Sequence, residues 1–135
     1  MSDYTWQRQT MHETLARIQQ DPEYTWVAIG DFLDDWRRSA EDDRLALVSM
    51  GIPEVEIGSS VFHWAVFCAA MVEWLCIQDH FSIPDWTQDS HLHLPDPWYL
   101  YPGEVEQMKA WQRETTPASF AQRNIFGGDK ILSRI

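Results

Sequence analysis

SSVFHWAVFCAAMVEWLCIQDH, residues 59–80, holds the longest apolar run of this 135-residue chain, broken only by His63 and Glu73. The run over 61–77 is shorter than the ~20 apolar residues of a typical membrane span, and it carries two ionisable side chains. It therefore reads as a buried core helix. The rest of the chain divides around it. The N-terminal side has helical periodicity and could pack on it. The C-terminal side is punctuated by proline and could wrap it.

Upstream, Tyr4, Met11, Leu15 and Ile18 form one stripe and predict a helix over 4–20. Asp21-Pro22 then reads as an N-cap followed by a first-turn proline, opening a second helix to about Ser39. Its inward stripe is Trp26, Ile29, Leu33 and Trp36, with Phe32 beside it and Asp31, Asp34 and Asp35 away from it. Arg37 and Arg38 close it at the negative end of the helix dipole. A short helix over 41–50 begins with Glu41, Asp42 and Asp43 and turns Leu45 and Val48 inward. Gly51 suits a left-handed stop, and Pro53 blocks continuation. Ser59 or Ser60 can cap the central helix.

Downstream, Pro84, Pro95, Pro97 and Pro102 forbid a long helix. The same stretch carries Phe81, Ile83, Trp86, Leu92, Leu94, Trp98, Tyr99, Leu100 and Tyr101, too apolar for a disordered linker. It predicts an ordered wrap with a helical turn near Asp85. A helix over 103–114 comes next, with Val105, Met108 and Trp111 inward. Thr116-Pro117 starts a short helix through Phe120 to Arg123, Gly127-Gly128 breaks it, and Asp129 can cap a last turn. There is no internal repeat and no β-pattern of useful length. The expected fold is a single all-α domain over 1–135, an irregular bundle around the central helix.

Composition narrows function. Twenty-one acids against ten bases give a net charge of -11. That opposes a nucleic-acid surface, whose affinity comes from Lys and Arg on phosphates, and an anionic membrane surface. It suits a basic protein partner. Cys68 and Cys76 lie about 12 Å apart along a helix at ~1.5 Å per residue, beyond disulfide reach. As small buried residues they fit a reducing cytoplasm.

Few residues invite chemistry. His91 and His93, with Asp89 and Asp96 close by, are the nearest approach to a metal site, and a small metal-dependent enzyme is the reading they would support. The alternative is a polar loop with two solvent-facing histidines. The acids of 31–43 could suggest paired-carboxylate chemistry, but a solvated face with Arg37, Arg38 and Arg44 as partners explains them equally. No cofactor motif is present. Glu73, the one acid of the apolar run, must find a partner or stay protonated. Arg123 is its expected partner, through a bidentate fork, and the pair would be a structural clasp; the alternative is that Glu73 points outward from a partly exposed helix.

The motif order DFLDDWRR, AAMVEWLC, IPDWT, LPDPWYLYP and TPASFAQRNIFGGDKILSRI resembles an uncharacterised all-helical domain of bacterial, especially actinobacterial, proteins. There it often follows a helix-turn-helix and is encoded beside a nucleotidyltransferase-like protein, in an arrangement like a toxin–antitoxin operon. The resemblance covers residues 26–135. Its most specific part is SF-x-x-RNIF at 119–126, followed by LSR at 132–134. No recognition helix accompanies the helix of 4–20, so the resemblance implies the partner-binding half of such a regulator and not the DNA-binding half.

The expectation is thus a cytoplasmic, non-enzymatic, antitoxin-like interaction module. Asp31, Asp34, Asp35 and Asp42 would cover a basic surface of the partner, with Trp86, Trp98, Tyr99 and Tyr101 as aromatic anchors. A self-associating protein, with the aromatic wrap as a dimer seam, is the other binding alternative.

Overall fold

A computed structural model describes residues 8–101, 103 and 105–132. Tyr4, Pro102 and the LSR residues Ser133 and Arg134 lie outside them. The fold is mostly α-helical, with six α-helices and one pair of two-residue strands among the described residues. The chain forms two compact units, Met1–Glu56 and Ile57–Ile135.

In the first unit, α1 spans Met11–Gln20 and follows 8–10, which are not helical; the expected start at 4 lies outside the described residues. A capping box sets its start. Thr10 Oγ1 accepts from the Glu13 backbone N–H at 3.0 Å, and Glu13 Oε1 accepts from the Thr10 N–H at 3.1 Å. Met11, Leu15 and Ile18 are buried as their spacing predicts. Asp21 does not cap a helix through its side chain. Pro22–Tyr24 is a 3-10 turn, and α2 covers Thr25–Arg38. Ile29, Phe32, Leu33 and Trp36 are buried, whereas Trp26 is half exposed.

Arg44 closes the far end of α2. Its Nε donates to Trp36 O at 2.7 Å, its Nη2 donates to Arg37 O at 3.2 Å, and its guanidinium lies 5.7 Å from the Trp36 ring centre. α3 is Glu41–Ser49, with its three acids in the first turn, where the helix dipole favours them. Leu47 and Val48 are its buried residues, and Leu45 points outward. Gly51 takes φ +89° as the stop.

The second unit is organised on α4, Ser60–Gln78, with Ser59 at the N-cap position. By length and composition alone α4 is long enough to cross a membrane, yet 67% of its apolar window is buried inside the fold. Phe67 meets Phe120 at 5.2 Å between ring centres. Asp79–His80 ends the helix, with His80 at φ 61°. The expected turn near Asp85 is the 3-10 segment Asp85–Gln88. α5 is Glu106–Thr115 and α6 is Ala118–Ala121.

A short sheet joins the wrap to the C-terminal segment, where sequence periodicity predicts no strand. β1, Trp98–Tyr99, pairs in parallel with β2, Ile125–Phe126. Trp98 N donates to Asn124 O and Leu100 N to Phe126 O, both at 2.8 Å. Asn124 reaches this register at φ 67°, and its Nδ2 donates to Leu94 O at 2.7 Å. Two residues are too few to show alternation, so the pairing comes from non-local hydrogen bonding.

Candidate functional site

The buried polar centre of the second unit is built on Glu73 and Arg123. Glu73 is 5% exposed and Arg123 is 2% exposed. Arg123 Nη1 donates to Glu73 Oε2 at 2.9 Å and to Ser119 O at 2.7 Å, and Nη2 donates to Thr87 O at 2.8 Å. Gln122 Nε2 donates to Oε2 at 2.9 Å, and Gln88 Nε2 donates to Oε1 at 2.8 Å. The expected partner is therefore present, but the expected fork is not. One nitrogen serves the carboxylate, and the other holds the wrap at Thr87. Burial pushes the Glu73 carboxyl up. Hydrogen bonds from Arg123, Gln88 and Ser119, with the charge of Arg123, more than offset that, and the carboxyl is held below its ordinary value.

This centre explains the most specific motif of the chain as structure. Ser119 supplies a carbonyl to Arg123, Phe120 fills the core, Asn124 holds Leu94, Ile125 is buried and Phe126 stacks on Tyr99 at 5.4 Å. Each of these contacts is made within the second unit.

The histidines do not converge. His91 Nδ1 lies 2.8 Å from Asp89 Oδ1, and Asp89 Oδ1 also accepts from the His91 backbone N–H at 2.9 Å. Those hydrogen bonds hold the Asp89 carboxyl below its usual range. His93 and Asp96 are exposed. Among the described residues no three His, Cys, Asp or Glu side chains come together as ligands. Burial pushes the Cys68 thiol up to about 12, and burial with the charge of Asp79 pushes Cys76 up to about 11. A nucleophilic role needs the opposite shift.

The expected acidic face is smaller than the sequence suggests. Asp35 is only 9% exposed, and its Oδ2 accepts from the Gln9 backbone N–H at 2.8 Å. It is an internal acceptor that fixes the approach to α1. Asp31 pairs with Arg17 at 2.9 Å, Asp34 is half-buried, and Asp42 is exposed.

The aromatic anchors divide in the same way. Trp86 is half-buried. Trp98 is half-buried in T-shaped contact with Trp64 at 5.0 Å and His63 at 5.2 Å. Tyr99 lies on Phe126, and its hydroxyl accepts from Arg113 Nη1 at 3.2 Å. Both rings belong to the packing of the wrap. Tyr101 remains 51% exposed.

Beside Tyr101 lies a surface that apolar spacing alone would place inside. Val105 is 61% exposed, Met108 47% and Trp111 38%. α5 turns Gln112 to the interior instead. Gln112 Nε2 donates to Tyr101 O and its Oε1 accepts from Tyr101 N–H, both at 3.1 Å, so a side-chain amide pairs with the backbone of the wrap. Thr116 Oγ1 then donates to Gln112 O and accepts from Gly127 N at 3.1 Å and Gly128 N at 2.9 Å. Gly128 abuts Trp111 so closely that a Cβ there would overlap the indole. The ring centres of Tyr101 and Trp111 stand 6.4 Å apart. Val105, Gln107, Met108 and Trp111 border a shallow, open hollow of about 350 Å³. The exposure of these side chains, on a helix tied down through Gln112 and Thr116, makes it the candidate interaction surface.

Comparison with protein-family models, with curated proteins and with solved structures gave no match.

Proposed function

We propose that this chain is a cytoplasmic, non-enzymatic helical module that binds a basic protein partner and restrains it, in the antitoxin-like manner its motif order implies. The observation that carries this is the exposed apolar face of Tyr101, Val105, Met108 and Trp111 on a chain of net charge -11. The largest exposed apolar patch of a monomer is often a functional surface. The excess of acid selects against acidic partners and speeds encounter with basic ones. Asp42, exposed with the rest of the Glu41–Asp43 turn, is open to contact by a partner, whereas Asp35, buried against the Gln9 N–H, is not.

Co-purification of the untagged native protein from its own cells tests the proposal, with the partner identified and its affinity measured. A stoichiometric basic partner bound at micromolar concentration or tighter is expected. A chain that emerges alone, with unaltered growth when the neighbouring gene product is expressed without it, would defeat the reading.

A further inference from the structure

We infer that Met108 is an oxidative modification site: conversion of its thioether to the sulfoxide makes the α5 surface polar and weakens its hold on a partner. This rests on the interaction reading above and adds the regulation of that surface. The sulfur side chains of the described residues fall into two groups. Met11, Cys68, Met71 and Cys76 are 0% exposed, whereas Met50 is 69% and Met108 47% exposed. Burial also keeps both thiols protonated, pushed up to about 12 and about 11, and the thiolate is the form that oxidises readily. A small oxidant therefore meets thioethers first, and only outside the core.

The two exposed thioethers differ in setting. Met50 is the C-cap residue of α3, in the first unit. Met108 lies three residues from both Val105 and Trp111 and borders the same hollow with them, at the centre of the apolar surface. Its oxidation is a two-electron step. A lone pair of Sδ attacks one oxygen of hydrogen peroxide, the O–O bond breaks and an S–O bond forms. The other oxygen leaves as water, taking the proton of the transferred hydroxyl. Sulfur is oxidised and the peroxide is reduced. The product replaces an adaptable apolar group with a strong hydrogen-bond acceptor. Covering that acceptor with an apolar partner surface, without a donor, weakens binding by about tenfold or more.

The native chain is treated alone with hydrogen peroxide, freed of the oxidant, and mapped by peptide mass spectrometry before it is mixed with the partner co-purified from its cells. Met50 and Met108 are expected to convert at least about tenfold faster than Met11 and Met71, with thermal unfolding unchanged, because neither belongs to the core. The oxidised chain should bind the partner about tenfold more weakly or worse, and a methionine sulfoxide reductase with a thiol reductant should restore the affinity. Met108→Leu keeps an apolar side chain of similar volume and should bind equally before and after peroxide. Met108→Gln, polar and of similar length, should bind as the oxidised chain does. Met50→Leu should respond as the wild type.

Conversion of Met108 no faster than that of Met11 and Met71 would overturn the site. A loss of affinity on oxidation that Met108→Leu shares would place the effect at another residue and overturn it as well. Undiminished binding by a chain oxidised at Met108 would overturn the switch and leave the interaction reading standing. A reduced chain with no native partner would overturn both.

Discussion

Arg123 reaches across fifty residues to Glu73, Nη1 to Oε2 at 2.9 Å, and both side chains are buried. Breaking a buried pair by removing one partner strands the other charge and costs roughly 3–5 kcal/mol, whereas replacing both by apolar groups of similar volume is often neutral. Arg123→Met and Glu73→Leu should each lower stability on that scale in urea unfolding. The double variant should recover part of the loss and not all of it, because Thr87 O and Ser119 O, which also accept from Arg123, lose that donor. Additive losses in the double variant would show that the two side chains act independently.

The same pair sets a pH dependence. The folded-state carboxyl of Glu73 is held below its ordinary value, and a free glutamate titrates near 4.3. Above that range the folded state gains the full contribution. As pH falls through the folded-state value the unfolded chain binds its proton first and the contribution is lost. The wild type should therefore lose more stability on acidification below about pH 4.3 than Glu73→Gln, measured as urea midpoints against pH. Parallel curves for the two proteins would count against a charged Glu73.

Cys68 and Cys76 are both fully buried, with thiols pushed up to about 12 and about 11. The thiolate is the reactive species. Neither should react with Ellman's reagent at about pH 8 in the native protein, and both should react promptly in denaturant. Native labelling of either thiol within minutes would mean that the α4 core opens readily.

Gly128 combines φ +83° with an indole so close that an added Cβ would overlap Trp111. Gly128→Ala must strain the backbone and displace the indole, at a cost of roughly 1–3 kcal/mol by the overpacking scale. The change should appear as a lowered unfolding midpoint together with altered fluorescence from Trp111, assigned by comparison with Trp111→Phe. An unchanged midpoint would show that the indole is not held against the glycine.

Gln112 makes the support of the interaction surface testable apart from the surface itself. Gln112→Leu removes both hydrogen bonds to Tyr101 and leaves that backbone partly unpaired, at about 1–3 kcal/mol. Protection of the Tyr101 amide in hydrogen exchange should fall with it. Retained protection would mean that the wrap is held at Tyr101 by something other than this amide.

Some of this protein was already determined by local sequence. The apolar run gives α4, Gly51 gives a left-handed stop, the proline spacing gives an irregular wrap, and a lone acid in an apolar helix demands a partner such as Arg123. The capping box at Thr10 and Glu13, a local signal that the apolar stripe does not carry, sets the start of α1. These features depend on groups within a few residues of one another, or on a desolvation penalty that holds in any fold. Only the tertiary structure decided which faces turn inward and which distant backbones meet. In a ten-residue helix such as α5 an apolar stripe need not be the buried face. Gln112 won the interior because its amide satisfies the Tyr101 backbone, which left Met108 and Trp111 outside. Asp35 was drawn inward by the N–H of Gln9, and β1 formed through hydrogen bonds to β2, well beyond it in the chain. Periodicity reports that a helix has two faces. Hydrogen-bond satisfaction among non-local neighbours settles which of them meets solvent.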